Sequence, residues 1–245
     1  MESTLFALLF AGGGIVALGY GGLQLRKWRR IRAGEPVPIR EAVIESDPVE
    51  IEGRIEPYEE TLTSPILTEE CVAYEYEVEE KKRRRGRKGR NKTTWKTVDS
   101  GSARRPFVLE DETGTAHVDP SSASLSMGTE RTNSIDDESS LPPGLQSTSS
   151  GPLSISIGGF NLGGNQMRYT EKRLDVGEDG YVFGQSESNP HWADVDIALS
   201  DGPETPMFLV SDTGEAGTMR RFLQYGLGGV GAGTVAFVIA TLLFL

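Results

Sequence analysis

The chain has 245 residues, a formal net charge of −11, a single cysteine and a sequence pI near 4.8. One cysteine excludes an intrachain disulfide framework, and the acidic balance argues against nucleic-acid binding by the chain as a whole. Apolar residues concentrate at the two ends, leaving about 190 residues between them, enough for one domain with a core or two small ones.

The first element is LFALLFAGGGIVALGYGGLQL, residues 5–25, uncharged and long enough to span a hydrocarbon core. No positive charge precedes it, and it is too long for the apolar region of a secretory signal. Arg26, Lys27, Arg29, Arg30 and Arg32 follow it, with Trp28 among them as an interfacial anchor. A second span covers 222–245, preceded by Arg220 and Arg221. Both basic flanks predict a cell-membrane, multi-pass protein with its middle in the cytoplasm and both termini outside. Gly13, Ala17 and Gly21 recur every four residues on the first span, and Gly228, Ala232, Ala236 and Ala240 on the second, a spacing that favours helix–helix association in lipid. Neither span holds a charge, which argues against a channel or transporter.

Between the spans the pattern is that of strands. In VEIEGRIE (49–56), Val49, Ile51 and Ile55 share one face with Gly53, and the charged residues take the other. In CVAYEYEVE (71–79), Val72, Tyr74, Tyr76 and Val78 oppose Glu75, Glu77 and Glu79. TTWKTV (93–98) follows, then PFVLE and TAHVD flanking the Asp111–Gly114 turn, a hairpin signature. From 121 to 165 Ser, Gly and Pro dominate and periodicity fails, which predicts a flexible insertion, with Ile155, Ile157 and Phe160 as a weak strand inside it. The β pattern returns at 167–174, turns at Gly177–Gly180, and continues through 181–184, 195–199 and 207–210. Asp212 and Glu215 have capping-box spacing ahead of a juxtamembrane helix, 212–221. The expected organisation is therefore two transmembrane helices (5–25 and 222–245) around a mainly β domain in two parts, 36–120 and 166–211. A compact β-barrel or sandwich is the economical architecture.

Within this acidic chain lies KKRRRGRKGRNK, residues 81–92, nine of whose twelve residues are basic. They are Lys81, Lys82, Arg83, Arg84, Arg85, Arg87, Lys88, Arg90 and Lys92. The block falls between two strands and reads as a hairpin tip. It can be a solvated loop that offsets the acidic strand face, a contact for the anionic cytoplasmic leaflet, or a dock for an acidic protein. The lipid reading weakens in molar salt, where charges are screened within about 3 Å. Nucleic acid is disfavoured, because no aromatic is interleaved with the cations.

Chemistry-bearing residues are sparse. Cys71 is a candidate nucleophile with no sequence-local helper, and its strand position suits a small buried hydrophobe. His117 and Asp119 form an H-x-D on one strand face, short of the ligands a metal needs. His191 and Trp192 follow Asn189-Pro190 in a loop, and the acidic pair Asp111-Glu112 is accounted for by the turn. No phosphate loop, dinucleotide fingerprint or nucleophile elbow is present, and no cofactor or metal is expected. Trp95, the basic block and the exposed polar positions of the Gly114 and Gly180 turns are candidates for recognition. Trp95 and Phe107 are read first as core.

VEIEGRIEP, TLTSPILTEECVAYEYEVEE, TTWKTVDSG, PFVLEDETGTAHVDP and YTEKRLDVGEDGYVFGQ follow one another in an order that resembles the GIDE domain, also called BAM, for "beside a membrane". That domain occurs in membrane-anchored RING ubiquitin ligases of the MULAN type and in shorter prokaryotic membrane proteins. The acidic composition fits a short haloarchaeal form. The resemblance implies a β-rich domain between two membrane helices, with E3 ubiquitin-protein transferase activity as its label. Ligases of the family carry a RING, which needs about eight Cys and His ligands, against one Cys and two His here. The expectation is a binding or sensing module without its own RING. The alternatives are transferase activity with a partner in trans or through Cys71, and a structural envelope scaffold.

Overall fold

The computed structural model describes residues 2–43, 48–85, 91–128, 131–135, 167–188, 195–203, 205 and 207–244. The chain divides into two units, Met1–Pro36 with Thr213–Leu245, and Val37–Asp212.

The first unit is a pair of helices, α1 (Glu2–Ile31) and α3 (Glu215–Phe244), each long and apolar enough to cross a membrane. They run antiparallel: Gly21 lies against Gly226, Gly229 and Val230, and Gly14 against Gly233 and Phe237. Ala7, Gly14 and Gly21 are buried on α1, and Gly226, Gly233 and Ala240 on α3. The seam therefore repeats every seven residues, not every four, as in a left-handed coil. This corrects the expected stripes: a Cβ on Gly13 or Gly228 would meet nothing within 4 Å. A Cβ on Gly21 would lie 2.6 Å from the Val230 nitrogen, and one on Gly229 2.8 Å from the Gly21 Cα. Lipid provides no hydrophobic drive for this pairing, so close backbone packing must supply it. Lys27 places its ammonium 5.6 Å from the Phe222 ring.

In the second unit the charge alternation read at 49–56 becomes β1 (Pro48–Pro57), which belongs to two neighbours in turn. Its first half pairs with β10 (Asp179–Ser188) and its second with β5 (Phe107–Asp111), the change falling at Arg54. Gly53 makes the corner possible, since a Cβ there would lie 2.5 Å from the Glu110 carbonyl oxygen. β5 pairs with β6 (Gly114–Val118), β6 in parallel with β11 (Ile197–Ser200), and β11 with β10, which returns to β1. Five strands thus close into a barrel in which the fifth inserts between the third and fourth, a Greek-key closure of OB type. Inside lie Val49, Ile51, Ile55, Phe107, Leu109 and Val182, all in one buried cluster. The sheet extends beyond the barrel through β12 (Leu209–Ser211) and β7 (Ser124–Ser126).

A second sheet is built from the segments that interrupt the barrel. Its centre is β3 (Glu70–Arg85), flanked by β4 (Asn91–Arg104) on one edge and β9 (Met167–Asp175) on the other, with short β2 (Leu62–Thr63) and β8 (Arg131–Ile135). Tyr76, Val78, Met167 and Tyr169 form its own small core with Ile66. The stretch expected to be a flexible insertion from 121 thus begins with ordered chain, a short 3-10 turn at 120–122, then β7 and β8. The weak strand expected around Ile155, Ile157 and Phe160 lies outside the described residues. α3 runs unbroken from Glu215, so the part of the expected juxtamembrane helix from Glu215 onward is the start of the membrane helix itself, and the Asp212 carboxylate ahead of it accepts from the Gly128 backbone N–H.

Candidate functional site

The β3–β4 hairpin is long. Among the described residues β9 accompanies β3 as far as the Glu80–Met167 pair, and β4 stays paired with β3 through Arg85–Asn91. From Lys81 onward the described chain is a two-stranded ribbon. Most of the basic block is therefore strand, not loop, with Lys81 through Arg85 on β3 and Lys92 on β4. Arg87, Lys88 and Arg90, at the turn, lie outside the described residues. The ribbon is continuous with the acidic face of the sheet, because Glu75, Glu77, Glu79 and Lys81 alternate along one side of β3. Along that face charge passes from acidic at the base to basic toward the tip.

At the crossover sits Trp95, opposite Lys81 in the register. The Lys81 ammonium lies 5.7 Å from its ring centroid and the Arg168 guanidinium 4.6 Å. Trp95 is half-buried on the arm and absent from both cores, whereas Phe107 is fully buried in the barrel. Arg168 is held in turn by Glu79, whose hydrogen bond keeps the guanidinium firmly charged. Thr97 adds a 2.6 Å hydrogen bond to Glu77. Lys82 pairs with Glu80 at 3.3 Å yet stays 47% exposed, while Lys96, Thr93 and Thr94 face solvent. The acidic residues next to the arm are thus engaged locally, and Lys82 and Lys96 are exposed.

The other candidates take structural places. Cys71 is fully buried, and burial, with help from Asp175, pushes its thiol up to about 12. Such a thiol is a poor nucleophile, since the thiolate is the reactive form. Next to it is a feature the sequence did not advertise, a buried ion cluster. Arg173 donates two hydrogen bonds to Asp175, at 2.7 and 3.0 Å, and one to buried Glu171 at 3.0 Å. The second Glu171 oxygen accepts from Ile66 N at 2.9 Å. This fastens a turn in which Thr68 has φ 59°, a rare value for a β-branched residue. Alternation along β9 was the available signal: Glu171 and Arg173 fall on the same face as Tyr169.

His117 lies on the outside of the barrel wall, with Tyr58 edge-on at 4.7 Å, and burial lowers its basicity. Asp119 lies beyond the strand and caps the next turn, accepting from Ser121 N at 3.0 Å. No cluster of three metal-ligating side chains forms among the described residues. Asp111 stitches its own turn and reaches Ile39 N at 2.9 Å, while Glu112 stays exposed. His191 and Trp192 lie outside the described residues. In the Gly177–Gly180 turn, Gly177 has φ +83° and donates to the Ile55 carbonyl at 2.7 Å.

A closed β-barrel domain with a long hairpin, joined at both ends to long apolar helices, defines a class: a membrane protein with a β-rich module between its spans. Residues 75–240 match the model of the GIDE family, described as an E3 ubiquitin ligase, and the chain belongs to that family. No curated protein and no solved structure matches it.

Proposed function

We propose that the chain is a membrane-anchored binding module, in which the GIDE domain makes recognition contacts and performs no covalent chemistry of its own. The β3–β4 arm carries this reading. Lys82 and Lys96 are exposed on it, and the neighbouring carboxylates of Glu77, Glu79 and Glu80 are paired locally. The burial and raised basicity of the Cys71 thiolate support the same view. The module works on the cytoplasmic side, where the basic flanks of both spans belong. A second reading, ubiquitin transfer with a partner supplying the RING, is favoured by the family's description.

Crosslinking capture from native membranes, followed by mass spectrometry, tests the first reading. A defined set of proteins or lipids is expected with the full chain, and the arm-dependent part of it disappears when 81–92 are removed. Purified full-length protein incubated with ubiquitin, activating enzyme and conjugating enzymes is expected to form no conjugates. Conjugation lost in Cys71→Ala would overturn the binding-module reading, and conjugation components in the captured set would establish the second.

A further inference from the structure

We infer that the free edge of β4 is a self-association surface. A second copy of this chain pairs its own β4 there, antiparallel about a two-fold axis, with Lys96 of each copy opposite Asp99 of the other.

β4 is an edge of its sheet. Among the described residues the backbone of 93–103 is paired with β3 alone. In an antiparallel edge strand alternate residues turn both N–H and C=O outward, so this stretch offers about five unpaired donor–acceptor sets. Its run of Thr, Trp and Val before Asp99 favours extended chain. Edges are commonly guarded by a charge, and Lys96 stands in the middle of this one, exposed and without an ion pair among the described residues. A strand with no acid at the facing position leaves that ammonium unmatched. One that supplies a carboxylate turns the guard into a register mark.

β4 carries that carboxylate itself, on the required side. Two identical strands paired about a two-fold axis set residue i opposite j and j opposite i, so i and j must share a face. In a regular strand residues three apart face opposite ways. Here Lys96 lies opposite Glu80 and Asp99 opposite Val78, with a register shift that leaves Val98 over. Glu80 and Val78 are two apart on β3, so Lys96 and Asp99 share their face, and the bulge is what brings this about. Asp99 accepts from Tyr76 Oη at 3.2 Å on one oxygen and from Ser100 N at 2.9 Å on the other, which leaves acceptor capacity on both. The same register runs each ribbon's charge gradient against the other's. Trp95, the partner of Lys81, falls opposite Ser100 of the second copy, whose own β3 partner is Glu77. The basic end of one hairpin thus lies along the acidic end of the other.

The test uses the full chain in proteoliposomes as two differently tagged populations, one Thr93→Cys and one Ser102→Cys. Both positions are exposed, and the buried Cys71 thiol does not compete. Their β3 partners, Arg83 and Glu75, lie on one face, and the inferred register sets Thr93 opposite Ser102 of the other copy, within disulfide reach. Mild oxidation is expected to join the two populations to each other and neither to itself. K96D and D99K are each expected to lower the mixed product several-fold, and K96D/D99K in both populations to restore it. Native Cys71 that stays unreactive toward maleimide shows that a charge variant is folded; if one is not, the cysteine pair in the native background decides the case. Same-residue products that match the mixed one, or no mixed product, overturn the inference, as does a mixed product indifferent to both charge reversals. Capture of Thr93→Cys by another protein of native membranes in place of a second copy also overturns it, in favour of a heterologous strand.

Discussion

Asp111 accepts four hydrogen bonds, from Thr113 N at 2.6 Å, Thr113 Oγ1 at 2.7 Å, Gly114 N at 2.9 Å and Ile39 N at 2.9 Å. The first three close the β5–β6 turn. The fourth holds the segment Ile39–Ala42 (α2), through which the chain enters the β unit. Burial works to raise this carboxyl, but the four donors outweigh it and leave it below its ordinary value. The depressed value sets the sign of the pH effect. The contribution is complete above the unfolded value of about 3.9 and disappears as pH falls through the folded value. Asp111→Ala is expected to cost about 1 kcal/mol at neutral pH, the size of a lost cap. The gap to the native chain should stay level from neutral pH down to about 5 and close below about 4. Denaturant titrations of both proteins across that range check it, and a gap independent of pH down to strong acid would mean the carboxylate's charge is irrelevant. At the same scale, Cys71 takes the buried place that its strand position suggested, whereas Trp95 does not take the core place read for it. The cysteine is core, whereas the tryptophan is held on the arm by cations, a contact no spacing in the sequence reveals.

At the scale of elements, alternation made most strands legible, because one buried and one wet face impose a period of two. It located β1, β3, β5, β6, β9 and β10 and the Asp111–Gly114 and Gly177–Gly180 turns. It did not reveal that β3 and β4 run on as a pair to Arg85 and Asn91, through part of the basic block, since alternation does not record how far two strands stay paired. β8 escaped notice for a similar reason: RTNSI (131–135) has little apolar pattern and is recruited by backbone pairing with β9. The helix pair was legible as small residues but not in its period, because Gly-rich helices offer several stripes and only the partner selects one. The two stripes make opposite predictions. Gly229→Leu must push backbone apart, and overpacking of that kind costs about 1–3 kcal/mol. Gly228→Leu faces open space and should fall within about 0.5 kcal/mol of the native chain. Unfolding of each variant in mixed micelles, followed by loss of energy transfer between dyes on the two helices, compares them. Equal losses would mean that the seven-residue seam does not hold the pair.

For the whole molecule the main question is which side of the membrane the β unit occupies. The fold does not decide this, and the proposal of a cytoplasmic β unit rests on the flanks. Five basic residues, Arg26, Lys27, Arg29, Arg30 and Arg32, follow the first span, and Arg220 and Arg221 precede the second. Neither span, 5–25 or 222–245, holds a basic residue. The bias has the same sign at both spans, so no single flank has to overcome the other, and positive residues beside a span are retained in the cytoplasm. The same side carries the anionic leaflet charge that a basic arm would meet. Placed opposite, the β unit would combine a reversed charge bias at two spans with an arm facing away from that field. A membrane-impermeant maleimide tests this on right-side-out vesicles. Thr94→Cys is expected to stay unlabelled until the vesicles are opened, and Thr4→Cys, at the far end of α1, to be labelled at once. Immediate labelling of Thr94→Cys would invert the topology. It would also remove the inner-leaflet potential from any account of why so acidic a chain carries one dense basic arm.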